Sequence, residues 1–212
     1  MPGPNQIAYI ASQAALAKQL DPTRPVGQAV AVNPPAGCQA PAYAPLDILG
    51  LNDYFGWYTG PGGGIADRDS LSSHLDSMHA CMPHKVLAVT EFGAEANRSG
   101  PVEEKGTYAF QSDFVRFHLG VYNSKRWLAG AIYFTLQEFR VQPAWNGGDP
   151  LPDPPVHQKG LISFTGLKKP AYYLVRQIFH ASAQRDARDG GWRPAGGAGW
   201  SAQRLHAGSR PP

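Results

Sequence analysis

The run Lys85-Val86-Leu87-Ala88-Val89-Thr90 constrains this chain more than any other segment. It is short, rich in apolar residues and lacks the polar alternation of a half-solvated strand. That is the pattern of a strand buried on both faces of a parallel sheet. Parallel strands need crossovers long enough to carry helices, and the helices must cover the sheet. The neighbouring segments supply them. Ser70 to Met82 carries Leu71, Leu75 and Met78 at helical spacing, and Tyr108 to Asn123 carries a stripe of Phe110, Phe114, Phe117 and Val121.

The rest of the chain repeats the pattern. A helix is predicted from Gln6 to Leu20, with Ile7, Ile10, Ala14 and Ala17 on one face beside Leu16 and Leu20. It stops at Asp21-Pro22, where proline cannot continue the hydrogen-bond ladder. Strand-like runs follow at Pro25 to Val32, Leu46 to Tyr54 and, later, Leu128 to Leu136. A Gly/Pro turn region covers Gly60 to Gly64, and a Pro/Gly loop covers Pro143 to Pro155. The last helix runs from Pro170 to Ala181 and buries Leu174, Val175 and Ile178. The order helix, strand, strand, helix, strand, helix, strand, helix gives an α/β class: half of an eight-fold barrel or a small open sheet. Pattern alone does not choose between them.

From Arg185 onward Gly, Ala, Arg, Pro and Ser dominate and no periodicity survives, so 185–212 is expected to be a disordered tail, with Trp192 and Trp200 as its aromatic residues. Lys and Arg are scattered and the net charge is only +3, which argues against nucleic-acid binding. No apolar run reaches the ~18 residues of a membrane span. Met1 to Gln6 show neither the charged nor the apolar region of a signal peptide, and no compartment follows. Cys38 and Cys81 lack metal-ligand spacing and are expected to be unpaired thiols. Seven histidines show no ligand spacing, and no Ser/His/Asp grouping occurs, so neither a metal nor a cofactor is expected.

The most informative segment is Val89-Thr90-Glu91-Phe92-Gly93-Ala94-Glu95-Ala96. Glu91 follows a buried parallel strand directly, so it stands at the C-terminal mouth of the sheet, where active sites of such folds lie. Gly93 lets the chain turn there. On pattern alone a solvated rim glutamate accounts for Glu91 equally well.

Thr90-Glu91-Phe92-Gly93-Ala94-Glu95 resembles the nucleophile motif of glycoside hydrolase family 2, the β-glucuronidase and β-galactosidase family. Three further segments match in the same order. Leu20-Asp21-Pro22-Thr23-Arg24-Pro25-Val26 resembles the approach to the fifth barrel strand. Gly50-Leu51-Asn52-Asp53-Tyr54-Phe55-Gly56-Trp57-Tyr58 resembles the end of the sixth. Lys159-Gly160-Leu161 with Lys169-Pro170-Ala171-Tyr172 resembles the closing segment after the eighth. The resemblance covers about Ile7 to Phe179. It implies that residues 1–184 are the C-terminal half of a (β/α)8 TIM barrel, strands five to eight with their helices. It also implies a carbohydrate partner: a β-glycoside, cleaved with retention through a glycosyl-enzyme on Glu91. Tyr54 would orient the nucleophile. Asn52, Trp57, Phe134, Glu138 and Lys159 would contact the sugar. Tyr54 also reads as a core aromatic, and Trp57 as a packing residue. Glu95 is expected to brace the loop, through hydrogen bonds or an arginine such as Arg98.

The chain departs from that family in three ways. A retaining mechanism needs a second carboxyl group about 5–5.5 Å from the first. In the family it is a glutamate just before the position of the opening helix here, and Met1 to Gln6 contain no carboxylate. A truncated chain is the simplest account, and a non-catalytic carbohydrate-binding remnant is the alternative. The usual Trp-Asn and acidic residue after strand eight are replaced by Phe134-Thr135 and Glu138-Phe139. The Asn-x-Lys reader of a uronic acid becomes His157-Gln158-Lys159, which leaves glucuronide, galactoside and other β-glycosides open. A phosphate-binding domain on Gly60 to Gly64 is set aside for want of the lysine and helix start of a phosphate loop.

Overall fold

A computed structural model of the chain describes residues 3–31, 42–58, 67–145 and 155–182. Cys38, Gly60 to Gly64, most of the Pro143 to Pro155 loop and the 185–212 segment lie outside them. The elements in chain order are α1 (Pro4–Leu20), β1 (Gly27–Ala31), β2 (Ile48–Asn52), α2 (Leu71–Cys81), β3 (Val86–Phe92), β4 (Ala96–Arg98), β5 (Gly106–Thr107), α3 (Tyr108–Ser124), β6 (Leu128–Tyr133), β7 (Phe139–Arg140), β8 (Val156–His157) and α4 (Pro170–Ala181). A single 3-10 turn, Arg68–Ser70, leads into α2.

Local chemistry explains the helix starts. Pro4 and Pro170 occupy first-turn positions, where a missing N–H costs nothing. The Thr107 hydroxyl accepts the Phe110 N–H at 3.1 Å and caps α3.

Strands β1, β2, β3 and β6 form one sheet in that order, and every pairing is parallel. The order along the sheet equals the order along the chain, as successive strand–helix units produce. The minor pairs β4–β5 and β7–β8 sit in the loops after β3 and β6. Leu49 and Leu51 of β2, with Leu87, Val89 and Phe92 of β3, pack under Leu71 and Leu75 of α2 and Phe114, Val115 and Leu119 of α3. α3 also packs along α4.

Four expectations are corrected. β3 is not buried on both faces: Leu87 and Val89 are buried, while Val86, Ala88 and Thr90 are half-buried. One side faces α2 and α3, and the other is only partly covered among the described residues. The buried face of α3 is Gln111, Phe114, Val115, His118, Leu119 and Tyr122, with Phe110, Phe117 and Val121 at its margin. The stripe is displaced because the residues facing the sheet include polar ones with fixed partners. α1 buries only Ile10 and Ala14, and Ile7, Leu16 and Leu20 are exposed. Cys81 is disulfide-bonded, not an unpaired thiol, and its partner falls outside the described residues.

Candidate active site

The C-terminal ends of β2 and β3 place Tyr54 and Glu91 side by side. In the parallel register Leu51 pairs with Val89, but Asn52 pairs with Glu91, so Thr90 is an inserted residue at the end of β3. Such a bulge re-aims the side chain that follows it. The Asp53 N–H donates to the Glu91 carbonyl at 2.7 Å and holds the two strand ends level. One residue on, the Tyr54 hydroxyl donates to Glu91 Oε2 at 2.7 Å. Burial, then the Glu91 carboxylate itself, holds the Tyr54 phenol well above its ordinary range, so it stays a donor. A half-buried carboxylate thus receives a permanent hydrogen bond at the mouth of a parallel sheet.

Gly93 makes the next turn possible. A Cβ built there falls well inside contact distance of the Phe134 carbonyl oxygen. The backbones of the β3 and β6 loops therefore meet at this point, and the Phe134 N–H donates to the Phe92 carbonyl at 2.9 Å.

The remaining expected site residues divide. Asn52 lies beside Glu91 in the register, and its Oδ1 accepts the Thr90 hydroxyl at 2.9 Å. Trp57 offers no open face to a sugar: it is 0% exposed. Phe110 packs against it at 6.0 Å, and the ammonium groups of Lys105 and Lys159 each lie 5.6 Å from its ring. Phe134 is half-buried, edge-on to Phe139 and His157, and its peptide bond to Thr135 is cis.

Glu138 is committed to the scaffold. Its Oε1 pairs with Lys169 Nζ at 2.5 Å and its Oε2 accepts the Phe164 N–H at 2.7 Å. Lys169 also donates to the carbonyls of Ala96 and Gln158 at 2.7 and 2.9 Å. Burial lowers the Lys169 pKa, against the pull of Glu138 and then Glu95. Lys159 is likewise 0% exposed; its ammonium donates to the Tyr58 hydroxyl at 2.7 Å.

Glu95 braces its loop, but not through Arg98. Its Oε1 accepts the Gln158 N–H at 3.4 Å and lies 3.8 Å from His157 Nε2, whereas Arg98 pairs with Glu104 at 2.7 Å. His157 stacks on Phe139 with centroids 4.8 Å apart.

Two buried polar residues organise the site and carry no local motif. Gln111 Nε2 donates to the Ala94 carbonyl at 2.9 Å and comes within 3.4 Å of the Lys159 and Gly160 carbonyls, tying the loop after β3 to the segment after β8. Asp53 is almost fully buried, accepts from Tyr122 at 3.0 Å and from the Phe55 N–H at 3.3 Å, and burial raises its pKa to about 6. A polar residue at a core-facing helical position was the only available hint for Gln111. Among the described residues no group of three or more His, Cys, Asp and Glu side chains could hold a metal ion, and no helix is long and apolar enough to cross a membrane.

A parallel α/β sheet with a hydrogen-bonded carboxylate at its C-terminal edge defines the class of fold. No family model matches the chain, and no curated protein matches it. Solved structures do. The FMN-binding β-glucuronidase from Facaelibacterium prausnitzii L2-6 superposes with a TM-score of 0.70 at 20% identity over 84% of this chain and 26% of its own. The family 2 β-galacturonidase from Eisenbergiella tayi, bound to galacturonate, gives 0.72 at 20% identity over 87% and 32%. The Ruminococcus gnavus β-glucuronidase gives 0.69 at 19% over 82% and 30%. The chain therefore has a β-glycosidase-like fold and spans about a third or less of the length of these neighbours.

Proposed function

We propose that this chain carries the nucleophile half of a retaining β-glycosidase site. Glu91 attacks the anomeric carbon, and Tyr54 aims and stabilises the attacking carboxylate. One observation supports this above the others: the 2.7 Å hydrogen bond between Tyr54 and Glu91 at the ends of adjacent parallel strands. On this reading the sheet is strands five to eight of a (β/α)8 barrel within residues 1–184. The acid/base carboxyl group comes from outside the 212 residues, and the substrate is a β-glycoside. Asn52 and Phe134 remain candidates to line the sugar site, while Trp57, Glu138 and Lys159 support it from behind.

A 2-fluoro β-glycoside with fluoride or dinitrophenolate as leaving group tests this, because such groups depart without acid assistance. Peptide mass spectrometry of the treated chain should find one glycosyl adduct, on Glu91, and none in Glu91→Gln. An adduct on Glu95 or another carboxylate overturns the assignment of the nucleophile. No adduct at all overturns the catalytic reading of this chain.

A further inference from the structure

Tyr122 of α3 holds both members of the Tyr54–Glu91 pair through their neighbours in sequence. Its hydroxyl donates to Asp53 Oδ2 at 3.0 Å, and Asp53 directly precedes Tyr54. Its ring meets that of Phe92 edge-on, with centroids 5.1 Å apart and planes at 84°, and Phe92 directly follows Glu91. Asp53, Phe92 and Tyr122 are all buried. Burial, then the Asp53 charge, holds the Tyr122 phenol well above its ordinary range, so it remains a donor. The other Asp53 oxygen accepts the Phe55 N–H at 3.3 Å, and the Asp53 N–H donates to the Glu91 carbonyl at 2.7 Å. Asp53 thus ties down the backbone on both sides of Tyr54.

A buried carboxylate costs stability unless polar partners offset it, and an apolar residue of similar size would carry no such cost. What this carboxylate supplies is a fixed geometry, at a point where the geometry is not given by regular pairing. Leu51 pairs with Val89 and Asn52 with Glu91, which leaves Thr90 over. Without that shift Thr90 would stand opposite Asn52, and Glu91 would lie one residue (about 3.3 Å) further along, out of step with Tyr54. We infer that Tyr122 and Asp53 are positioning residues: together they hold the shifted register between β2 and β3 and so keep the Tyr54 hydroxyl on the Glu91 carboxylate. Both act through that pair, without contact to a substrate. The inference rests on Tyr54 and Glu91 forming the site proposed above, but its first readout requires no sugar.

That readout is fluorine NMR of the full chain labelled with 3-fluorotyrosine, with the Tyr54 resonance assigned by its loss in Tyr54→Phe. Glu91→Leu marks where the resonance lies once the hydrogen bond is gone. Tyr122→Phe keeps the ring on Phe92 and removes only the hydroxyl. In this variant the Tyr54 resonance should move toward its Glu91→Leu position while circular dichroism shows the fold kept; a residue that merely adds stability would leave it in place. Asp53→Asn should stay near wild type, because an amide can still bond both the Phe55 N–H and the Tyr122 hydroxyl. Asp53→Ala should move the resonance as Tyr122→Phe does, and the double variant should move it no further. With a saturating 2-fluoro β-glycoside, Tyr122→Phe should form the Glu91 adduct about 10-fold or more slowly, with the half-saturating concentration unchanged, because a small misplacement of the nucleophile suffices. An unmoved resonance in Tyr122→Phe overturns the inference, and so does a double variant in which the two shifts add. If Tyr122→Phe does not fold, Asp53→Ala removes the acceptor and carries the same comparison: an unmoved resonance there overturns it. A moved resonance with no adduct on any variant rejects the glycosidase reading alone. An adduct formed at the wild-type rate in Tyr122→Phe rejects the positioning role alone.

Discussion

Tyr54, two residues past the end of β2, and Glu91, the penultimate residue of β3, meet side chain to side chain at 2.7 Å. The phenol stays protonated, so it donates at any pH the fold tolerates. Tyr54→Phe removes that donor and leaves a ring of nearly the same shape. A hydrogen bond to a charged group contributes about 1.5–3 kcal/mol, so the rate at which Glu91 forms a glycosyl adduct should fall by about 10- to 100-fold. Timed mass spectrometry of the 2-fluoro-glycoside adduct measures this, with circular dichroism to show that the fold is kept. An unchanged rate would falsify the orienting role.

Asp53 gives stability a pH dependence of definite sign. Burial raises its folded pKa from 3.8 to about 6, against the bonds from the Phe55 N–H and Tyr122. Between those values the folded chain holds the proton more tightly than the unfolded chain does. Its contribution to stability is therefore greatest below about pH 4, declines as pH rises to 6, and is flat above. The whole change is about 3 kcal/mol. Asp53→Asn cannot titrate. The wild-type minus variant stability from urea unfolding should be more favourable to wild type at pH 4.5 than at pH 7.5. Parallel stabilities at the two pH values would reject the raised pKa.

The pair between Lys169 and Glu138 holds three loops together, because the same ammonium also serves the Ala96 and Gln158 carbonyls. Lys169→Met leaves a buried carboxylate and two carbonyls without their cation. Breaking a buried pair on one side costs about 3–5 kcal/mol, and that loss is expected in denaturant unfolding. Adding Glu138→Leu should recover part of it, because the second change removes the stranded charge. A loss under about 1 kcal/mol for the single variant would mean that water replaces the cation.

The elements were readable because each has its own period. Pro170 to Ala181 is the expected helix to the residue, and Lys85 to Thr90 contains the start of β3. The approach of Tyr54 to Glu91 was implied only by the family resemblance of the two segments, since pattern alone left Tyr54 open as a core aromatic. Choices among distant partners were not readable. Nothing local says that Glu138 takes Lys169, or that Arg98 takes Glu104 in place of Glu95. Trp57 follows the strand end in a loop, where a sugar platform and a core plug share one residue type, and only packing against Phe110, Lys105 and Lys159 decides between them. Cys81 follows the same rule: spacing showed no metal site, and only three-dimensional proximity could reveal a disulfide.

Gly93 links the nucleophile strand to its neighbour by backbone alone. A methyl group there would collide with the Phe134 carbonyl, and a carbonyl cannot swing aside as the end of a side chain can. Either the turn after Glu91 or the segment after β6 must move, and the hydrogen bond from Phe134 to Phe92 resists both. Gly93→Ala should therefore destabilise the chain by about 1–3 kcal/mol, the cost of overpacking a closed site. It should also displace Glu91 relative to Tyr54, so adduct formation should slow even where the variant is fully folded. Gly120→Ala is the control, because a Cβ at Gly120, on α3, meets nothing within 4 Å. It should be neutral or slightly stabilising in the same assays, since alanine favours helix over glycine by about 1 kcal/mol. Equal behaviour of the two variants would show that the contact between the loops at Gly93 can relax, and that the position of Glu91 does not depend on it.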